Sequence, residues 1–214
     1  MKKIVFILLI TLLLLTSGVV YSKKLINKLE DKTIVIDPGH GGKDSGTLYK
    51  NILEKDINLS IALKLKKRLS KYNVEVMLTR NGDYDLSSPN ATRRKKSDFD
   101  NRIEMINDSG ANMYLSIHIN YLDNAKYYGA QVFYTKGNND IADYIQEEFI
   151  NDLKSPMNSR ILSNDIYMYK NLNIPGVLIE CGFLSNSKER KLLIDDSYQY
   201  KIVRSIVKGL INYY

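Results

Sequence analysis

Short apolar runs alternate with segments that repeat apolar residues every three to four positions between residues 33 and 214. The apolar runs predict β-strands and the repeating segments predict amphipathic helices. Strands that alternate with helices favour an α/β fold with a twisted, mostly parallel sheet flanked by helices, since parallel strands need long crossover connections. Because 214 residues is the length of one domain with a short extension, we expect a single domain.

Five apolar runs have the length and composition of strands. They are Thr33–Ile36, Val74–Thr79, Met113–Ile117, Gly129–Thr135 and Val177–Ile179. Four stretches show helical periodicity. They are Glu54–Leu69, a segment marked by Phe99, Ile103 and Ile106, Asp140–Leu153, and a closing helix with the stripe Tyr198, Ile202, Ile206 and Leu210. The glycine-rich segment Gly39–Thr47 and the polar segment Asn81–Asp98 are predicted loops.

Composition and charge exclude several classes of protein. The contents of 44% hydrophobic and 26% charged residues exclude a disordered chain and a multi-span membrane protein. The single cysteine, Cys181, excludes an internal disulfide and any zinc knuckle or iron–sulfur cluster built on several cysteines. The net charge of +7 suits an anionic partner, which is a nucleic acid, an anionic lipid surface or a carboxylate-rich polymer.

The N-terminus carries the pattern of an export signal. Met1-Lys2-Lys3 precedes the apolar run Ile4–Leu15, and small residues follow up to Ser22. An uncleaved anchor is the alternative, because Ile4–Tyr21 spans 18 residues, the lower limit for crossing a bilayer. We therefore expect residues 1–22 to be a signal peptide or N-terminal membrane anchor, residues 23–32 a linker, and residues 33–214 the functional domain.

A basic run, Arg93–Lys96, lies in the second predicted loop. Such a run is most often a solvated surface, and contact with a substrate is the alternative. Binding to nucleic acid is the weaker interpretation, because an exported chain does not meet nucleic acid. We therefore expect no nucleic-acid partner, and membrane contact only through the N-terminal segment.

Three side chains suited to metal and proton chemistry follow predicted strands. His40 comes after the first strand, His118 after the third and Glu180 after the last, and the chain has only two histidines. In open α/β sheets, functional sites form outside the carboxyl ends of the strands. A lone histidine at a strand end is usually structural, but two converging at one edge, one of them beside glycines, indicate a site.

Glu54 completes a set of three metal ligands. It opens the helix after the glycine-rich loop, on the stripe that faces the sheet. Alone, it would be interpreted as an acid that stabilises the first turn of a helix. Together with His40 and His118 it matches the three-ligand plan of catalytic zinc, in which the fourth position takes water. We expect one zinc ion per chain at the C-terminal edge of the strands.

Glu180 is the predicted proton carrier. A carboxylate directly after an apolar run is costly to bury unless it is used or paired. The alternative is a structural pair with an arginine such as Arg102. Cys181 is interpreted as a small core residue, since neither histidine is free to activate it once both bind metal.

These residues and their neighbours in the sequence resemble the motifs of a known family. The segments DPGHGGKDSG (37–46), SIHIN (116–120) and IPGVLIECGFLSN (174–186), together with Glu54, resemble the zinc-dependent N-acetylmuramoyl-L-alanine amidases. The resemblance implies that His40, Glu54 and His118 are zinc ligands and that Glu180 is the catalytic acid/base. Arg80 and Arg102 also match positions that the family favours, whereas Asn112 and Thr47 depart from its usual aspartate and alanine.

The short build with an N-terminal apolar segment further resembles the germination-specific amidases of spore-forming bacteria. This implies hydrolysis of the amide between the lactyl group of muramic acid and L-alanine, as a step toward muramic-δ-lactam in the spore cortex. The expected partner is peptidoglycan, whose stem peptides bear carboxylates. The expected location is the cell wall or membrane surface, or in the forespore the space between the two membranes. Since no wall-binding module is visible, we also expect a helper or activator protein.

Two other functions remain open at this point. A zinc peptidase that cuts within the stem peptide would use the same ligands. A non-catalytic wall-binding domain would be expected to have lost part of the metal set, and all of His40, Glu54, His118 and Glu180 are present.

Overall fold

The computed structural model describes residues 7, 10–13, 27–162 and 166–214. Most of the predicted signal or anchor segment, residues 1–22, and part of the linker therefore lie outside the described residues. Of the helices within the described ranges, none has both the length and the apolar character needed to cross a bilayer. The account below concerns residues 27–162 and 166–214.

A six-stranded sheet forms the centre of the domain. Its strands are β1 Thr33–Pro38, β4 Glu75–Leu78, β5 Met113–Asn120, β6 Gln131–Tyr134, β7 Arg160–Ile161 and β8 Gly176–Phe183. They lie in the order β4-β1-β5-β8-β6-β7. Neighbouring strands in the row β4-β1-β5-β8 run parallel, β6 is antiparallel to β8, and β7 is parallel to β6. A separate small hairpin pairs β2 (Leu48–Tyr49) with β3 (Ile52–Leu53). The prediction of an α/β domain with a mostly parallel sheet is confirmed.

Six α-helices are described between residues 27 and 214. They are α1 Glu54–Leu69, α2 Arg94–Asn107, α3 Asn139–Leu153, α4 Tyr167–Lys170, α5 Ser187–Leu193 and α6 Asp196–Tyr213. The side chain of Asn186 caps the start of α5, and that of Asp195 caps α6. In α1 the loop takes over this role, because the amides of Glu54 and Lys55 donate to the carbonyl oxygens of Thr47 and Ser45.

Apolar side chains pack on both faces of the sheet. The larger cluster joins one face to α1, α3 and α6, through residues such as Ile36, Ile61 and Ile206. The smaller cluster lies on the opposite face and includes Tyr114, Leu178 and Ile106 of α2. Since side chains alternate along a strand, Ser116 and His118 share the face of Tyr114, and Glu180 shares that of Leu178. Ser116, His118 and Glu180 therefore lie on the face of the sheet that carries the smaller apolar cluster.

Two sequence-based interpretations are wrong in detail. His118 and Glu180 lie inside β5 and β8, not after them, because each strand continues beyond its first apolar run. Backbone pairing carries on through these residues, and apolar side chains continue to alternate with polar ones. The basic run Arg93–Lys96 does not lie in a loop, because α2 begins at Arg94. The other strands and helices begin and end within two residues of the predicted bounds where those bounds were given.

Candidate active site

His40, Glu54 and His118 lie together at the carboxyl end of the parallel strands. Atom Oε1 of Glu54 is 3.2 Å from Nε2 of His40 and 3.0 Å from Nδ1 of His118. Each of the three side chains can offer one donor atom such that all three atoms lie within 4.8 Å of one another. The sequence-based prediction that three different segments bring these residues to one place agrees with this arrangement.

Hydrogen bonds hold the Glu54 carboxylate in its orientation. Oε2 accepts from the Thr47 amide at 2.8 Å, and Oε1 accepts from the Ile119 amide at 3.1 Å. The buried Asn58, one turn further along α1, donates to Oε1 at 3.3 Å and to the Gly39 carbonyl at 3.2 Å. The first residue of α1 is thus tied to the glycine-rich loop and to β5.

Two glycines leave the space that the histidines occupy. A Cβ atom on Gly39 would lie 2.1 Å from Cε1 of His118, and one on Gly46 would lie 2.6 Å from Cδ2 of His40. Gly46 also has a φ of +62°, in the left-handed region that favours glycine. The glycine-rich loop is therefore required for the close approach of the two imidazoles.

Two buried arginines hold the backbone from Pro38 to His40. Arg80 donates through Nε to the Pro38 carbonyl at 2.9 Å and through Nη2 to the Gly39 carbonyl at 3.0 Å. Arg102 donates through Nη1 to Pro38 at 2.9 Å and through Nη2 to the carbonyl of His40 itself at 2.6 Å. His40 has a φ of +63°, which is uncommon for a residue with a Cβ, so these contacts support a sparsely populated conformation.

Arg102 is paired with carboxylates other than Glu180. Its guanidinium contacts Asp37 at 2.6 Å and Asp98 at 2.9 Å, and Asp37 also accepts from Ser116 at 2.9 Å. Burial alone would raise the pKa of Asp37, but the charge of Arg102 and the hydrogen bonds from Thr79 and Arg102 together lower that pKa below its usual value. The alternative role considered for Glu180, a structural pair with Arg102, is thus contradicted by the contacts of the arginine.

Glu180 differs from Asp37 and Glu54 in its hydrogen bonding. Its Oε2 is fully buried and accepts no hydrogen bond from any described residue. Burial, and then the nearby charge of Glu54, raise the pKa of Glu180 to about 8. A half-buried carboxylic acid that titrates near neutral pH is suited to take up and release a proton.

The pKa shifts of His40 and Glu54 favour their charged forms, whereas the shift of Glu180 favours its neutral form. Burial would lower the pKa of His40, but its hydrogen bonds to Asp44 and Glu54 raise that pKa to about 9. Burial would raise the pKa of Glu54, but its hydrogen bonds with His118 and His40 hold that pKa far below its usual range. In the absence of a metal, a proton on His40 therefore takes the place of a cation beside the Glu54 carboxylate.

The three side chains fit a zinc ion. Ligand atoms around tetrahedral zinc lie roughly 3.3 Å apart when the metal–ligand bonds are about 2.0–2.1 Å. The two distances from Glu54 to the histidines, 3.2 and 3.0 Å, are close to this value, and all three donor atoms lie within 4.8 Å of one another. Nδ1 of His40 is held at 2.9 Å by Asp44, so Nε2 is the nitrogen that faces Glu54. A carboxylate on the second nitrogen of a histidine is the usual support for a metal ligand.

A cavity of about 310 Å³ opens beside these residues. Its lining contains His40, His118 and Glu180 together with the larger, more apolar side chains of Phe99, Met168 and Tyr169. A larger groove, between α1 and α6, is lined mainly by lysines and arginines and contains none of the predicted site residues. The chemistry of the lining, rather than volume, therefore identifies the site.

The sequence matches one protein family over nearly all of the described domain. Residues 34–212 fit the family model described as Amidase_3, N-acetylmuramoyl-L-alanine amidase. This chain belongs to that family. The resemblance seen in the sequence motifs is thus confirmed, and the chain is an amidase of the type that acts on peptidoglycan.

Individual relatives agree with the family assignment. The germination-specific N-acetylmuramoyl-L-alanine amidase of Bacillus subtilis is 40% identical over 193 residues, which cover 87% of this chain and 81% of the relative. The CwlD amidase of Clostridioides difficile, solved in complex with the GerS lipoprotein, is 44% identical with a TM-score of 0.81, covering 86% of this chain and 98% of that one. An N-acetylmuramoyl-L-alanine amidase of Clostridium difficile 630 is 32% identical with a TM-score of 0.75, covering 85% and 96%.

Several residues around the site were missed from sequence alone. Asp44, which holds His40, lies four residues after it in the same loop, and this spacing was an available signal. Tyr169 shares a hydrogen bond with Ser116 at the base of the cavity, and it comes from the four-residue helix α4, which has no periodic pattern to detect. Cys181 is buried in the core, as predicted.

Proposed function

We propose that this amidase uses one zinc ion, held by His40, Glu54 and His118, to hydrolyse the amide between the lactyl group of muramic acid and L-alanine. The observation that supports this most strongly is the convergence of the three donor atoms within 4.8 Å, in a cavity that Glu180 also lines. The chain's own acid and base groups are thus placed around one point where an amide carbonyl and a water molecule can meet.

Zinc bound by these residues would supply Lewis-acid activation of the scissile carbonyl and of the attacking water. Glu180 then acts as general base and acid: its unpartnered Oε2 accepts the proton of the water and returns it to the departing amine of L-alanine. The pKa of Glu180 is raised to about 8 in the metal-free site, and a cation bound beside it would lower that pKa toward neutral pH, where Glu180 can both accept and release a proton. The wall formed by Phe99 and Tyr169 limits the access of bulk water.

The biological setting that we propose is the spore cortex. A relative with 40% identity is named a germination-specific amidase, and cleavage at L-alanine would leave the free lactyl carboxylate that lactam formation requires. We further propose that a helper protein positions or activates this domain, in the way that the related CwlD is found in complex with the GerS lipoprotein. Deletion of the gene in a spore former should leave cortex that lacks muramic-δ-lactam.

We also propose that residues 1–22 export the chain as a signal peptide or hold it at the membrane, and that residues 23–32 link this segment to the amidase domain. The N-terminal charge pattern and the cell-wall activity of the relatives support this. A truncated form that begins at Lys23 should fold and bind zinc in the cytosol of an expression host. An insoluble truncated form, when the full chain in detergent is folded, would contradict the domain boundary.

Mass spectrometry of peptidoglycan digested with the zinc-loaded protein tests the proposed reaction. We expect glycan strands with intact sugars and no peptide, and released stem peptides whose new amino terminus is L-alanine. A new terminus further along the stem peptide would make the protein a zinc peptidase. Binding without any new terminus would make it a wall-binding domain.

A further inference from the structure

The basic run at the start of α2 separates into paired and unpaired charges. Arg94 forms two short contacts from Nη2 to the two oxygens of Asp85, both at 2.8 Å. Lys96 lies 2.7 Å from Asp100 and 3.1 Å from the hydroxyl of Tyr167. Among the described residues, the carboxylate that pairs with Lys95 is Asp44, at a longer distance of 3.8 Å. The described residues therefore neutralise only part of the run.

Asp44 is a distant partner for Lys95 at 3.8 Å, and both of its oxygens have nearer donors. Oδ2 is 2.9 Å from Nδ1 of His40, and Oδ1 accepts from the Gly46 amide at 3.1 Å. The Lys95 side chain is 65% exposed. It also lies near the positive end of a helix that has no acidic residue in its first turn, which is an unfavourable place for a cation. A bound anion would compensate for this cost.

Lys95 and Lys43 line a hollow of about 250 Å³. Three carboxylates also lie in its wall: Asp44 is held by His40, Asp85 by Arg94, and Asp98 by Arg102. Lys43 is exposed, and its ammonium forms no ion pair with any residue of the described ranges. Of the three cations in the lining, Arg94 is held by Asp85, whereas the ammoniums of Lys43 and Lys95 have no ion pair shorter than 3.8 Å with any described residue.

The hollow adjoins the catalytic cavity. The hydrogen-bonded pair His40–Asp44 separates the two spaces, since His40 lines the cavity and Asp44 lines the hollow. Phe99 in the cavity wall is one helical turn beyond Lys95, whose Nζ is 5.8 Å from the centroid of its ring. A substrate bound over the metal ligands therefore extends naturally from the cavity into the hollow.

We infer that Lys43 and Lys95 bind a carboxylate of the stem peptide, so that the hollow holds the peptide side of the scissile bond. The inference rests on the proposed function, because it takes peptidoglycan as the substrate. In a muramoyl peptide the carboxylates belong to the peptide and not to the sugar backbone. Two ammonium groups on flexible stems suit such a charge without fixing its orientation, unlike the paired guanidinium of Arg94.

The test compares two muramoyl-peptide substrates that differ at one group, the α-carboxyl of the second residue of the stem, which is free in one and amidated in the other. The zinc-loaded full chain should cleave the free acid with the lower KM. Lys95→Ala should raise the KM for the free acid about two- to fivefold, the range of an exposed ion pair, and leave kcat unchanged. It should leave the KM for the amidated substrate unaltered, and added salt should reduce the difference between the two substrates.

Matched variants separate this role from a structural one. Lys95→Arg should restore the low KM, and the double variant Lys43→Ala/Lys95→Ala should abolish the preference for the free acid. Lys66→Ala, which removes an exposed charge from α1, should match the unaltered protein on both substrates. Wild-type cleavage at L-alanine with equal KM values for both substrates would overturn the inference alone. Zinc-loaded wild type that cleaves neither substrate at that bond would overturn the proposed function and the inference with it.

Discussion

His118 and Glu180 are direct partners in the parallel register of β5 and β8, at the boundary between the two central strands. Neighbouring strands lie about 4.8 Å apart, so the backbone of the sheet itself sets the spacing of these two side chains. Just beyond this pair the register shifts, and β8 has one more residue than β5 before pairing resumes between Asn120 and Phe183. His118, the candidate ligand, and Glu180, the candidate proton carrier, are thus the last residue pair before the register shift.

Removal of one ligand should remove the metal. His118→Ala leaves two of the three protein ligands, and a mononuclear site with three ligands has none to spare. We expect zinc content and activity to fall together, with the melting temperature of the metal-free protein little changed. Elemental analysis measures this directly. Near-full zinc in His118→Ala would show that another residue is the ligand.

Zinc binding should also depend on the space that Gly39 leaves for the His118 ring. A Cβ atom on Gly39 would lie 2.1–2.2 Å from the ring atoms Cε1 and Nε2, so Gly39→Ala should displace the imidazole. The predicted result is a loss of zinc affinity in a folded protein, measured by competition with a chelating dye. Gly82→Ala is the control, because its added Cβ would meet only the exposed ring of Tyr84 at 3.2 Å. Equal zinc affinity in the two variants would contradict the steric argument.

Zinc binding should depend on pH through His40. The pKa of His40 is raised to about 9 in the metal-free protein, so Nε2 must lose a proton before it can bind a metal at pH 7. The apparent zinc affinity should therefore weaken as the pH falls below about 9, and binding at pH 7 should release about one proton from His40. Calorimetry in two buffers with different ionisation enthalpies counts the released protons.

Asp44→Asn provides the comparison for this measurement. Its carboxylate contributes to the raised pKa of His40 through a direct hydrogen bond, so its removal should lower that pKa and reduce the number of protons released at pH 7. Zinc binding without proton release in the unaltered protein would contradict the ion-pair arrangement described for the metal-free site.

Arg102 should contribute strongly to the free energy of unfolding. Arg102→Ala would leave the buried carboxylate of Asp37 without its counter-charge, and breaking a buried pair in this way costs about 3–5 kcal/mol of unfolding free energy. The melting temperature should fall by roughly 10 °C or more. Arg204→Ala is the control, since its exposed guanidinium lies 3.9 Å from Asp152 and contributes less than about 1 kcal/mol. Equal melting temperatures for the two variants would contradict the role assigned to Arg102.

The sequence predicts the main helices and strands because each carries a periodic pattern and an apolar face. It also predicts the convergence of His40, Glu54, His118 and Glu180, since parallel strands bring their carboxyl ends to one edge. The apolar runs predict the ends of β5 and β8 too early, because a single polar residue such as His118 resembles the end of a strand. The alternation of apolar and polar side chains beyond it indicates that the strand continues. The start of α2 was missed because basic residues are disfavoured in a first helical turn.

Other features depend on contacts between distant segments. The carbonyl contacts of Arg80 and Arg102 join β1, the loop after β4 and α2, and no local pattern encodes them. The two-residue strand β7 is held by backbone pairing with β6, and the four-residue helix α4 by its buried side chains, and both are too short to show a period. The division of the basic run into paired and unpaired cations likewise depends on where Asp85 and Asp100 come to lie.

The most direct test of the account measures zinc content, melting temperature and cleavage rate on one preparation of Glu180→Gln. This substitution keeps the size of the side chain and removes its ability to accept a proton. General acid–base groups contribute about 10²–10⁴-fold to rates, so the cleavage rate should fall by that order while zinc content stays near that of the unaltered protein. The melting temperature should not fall, because Oε2 of Glu180 has no hydrogen-bond partner to lose. A Glu180→Gln protein that cleaves at the normal rate, or that loses its zinc, would contradict the central claim that Glu180 carries the proton and does not bind the metal.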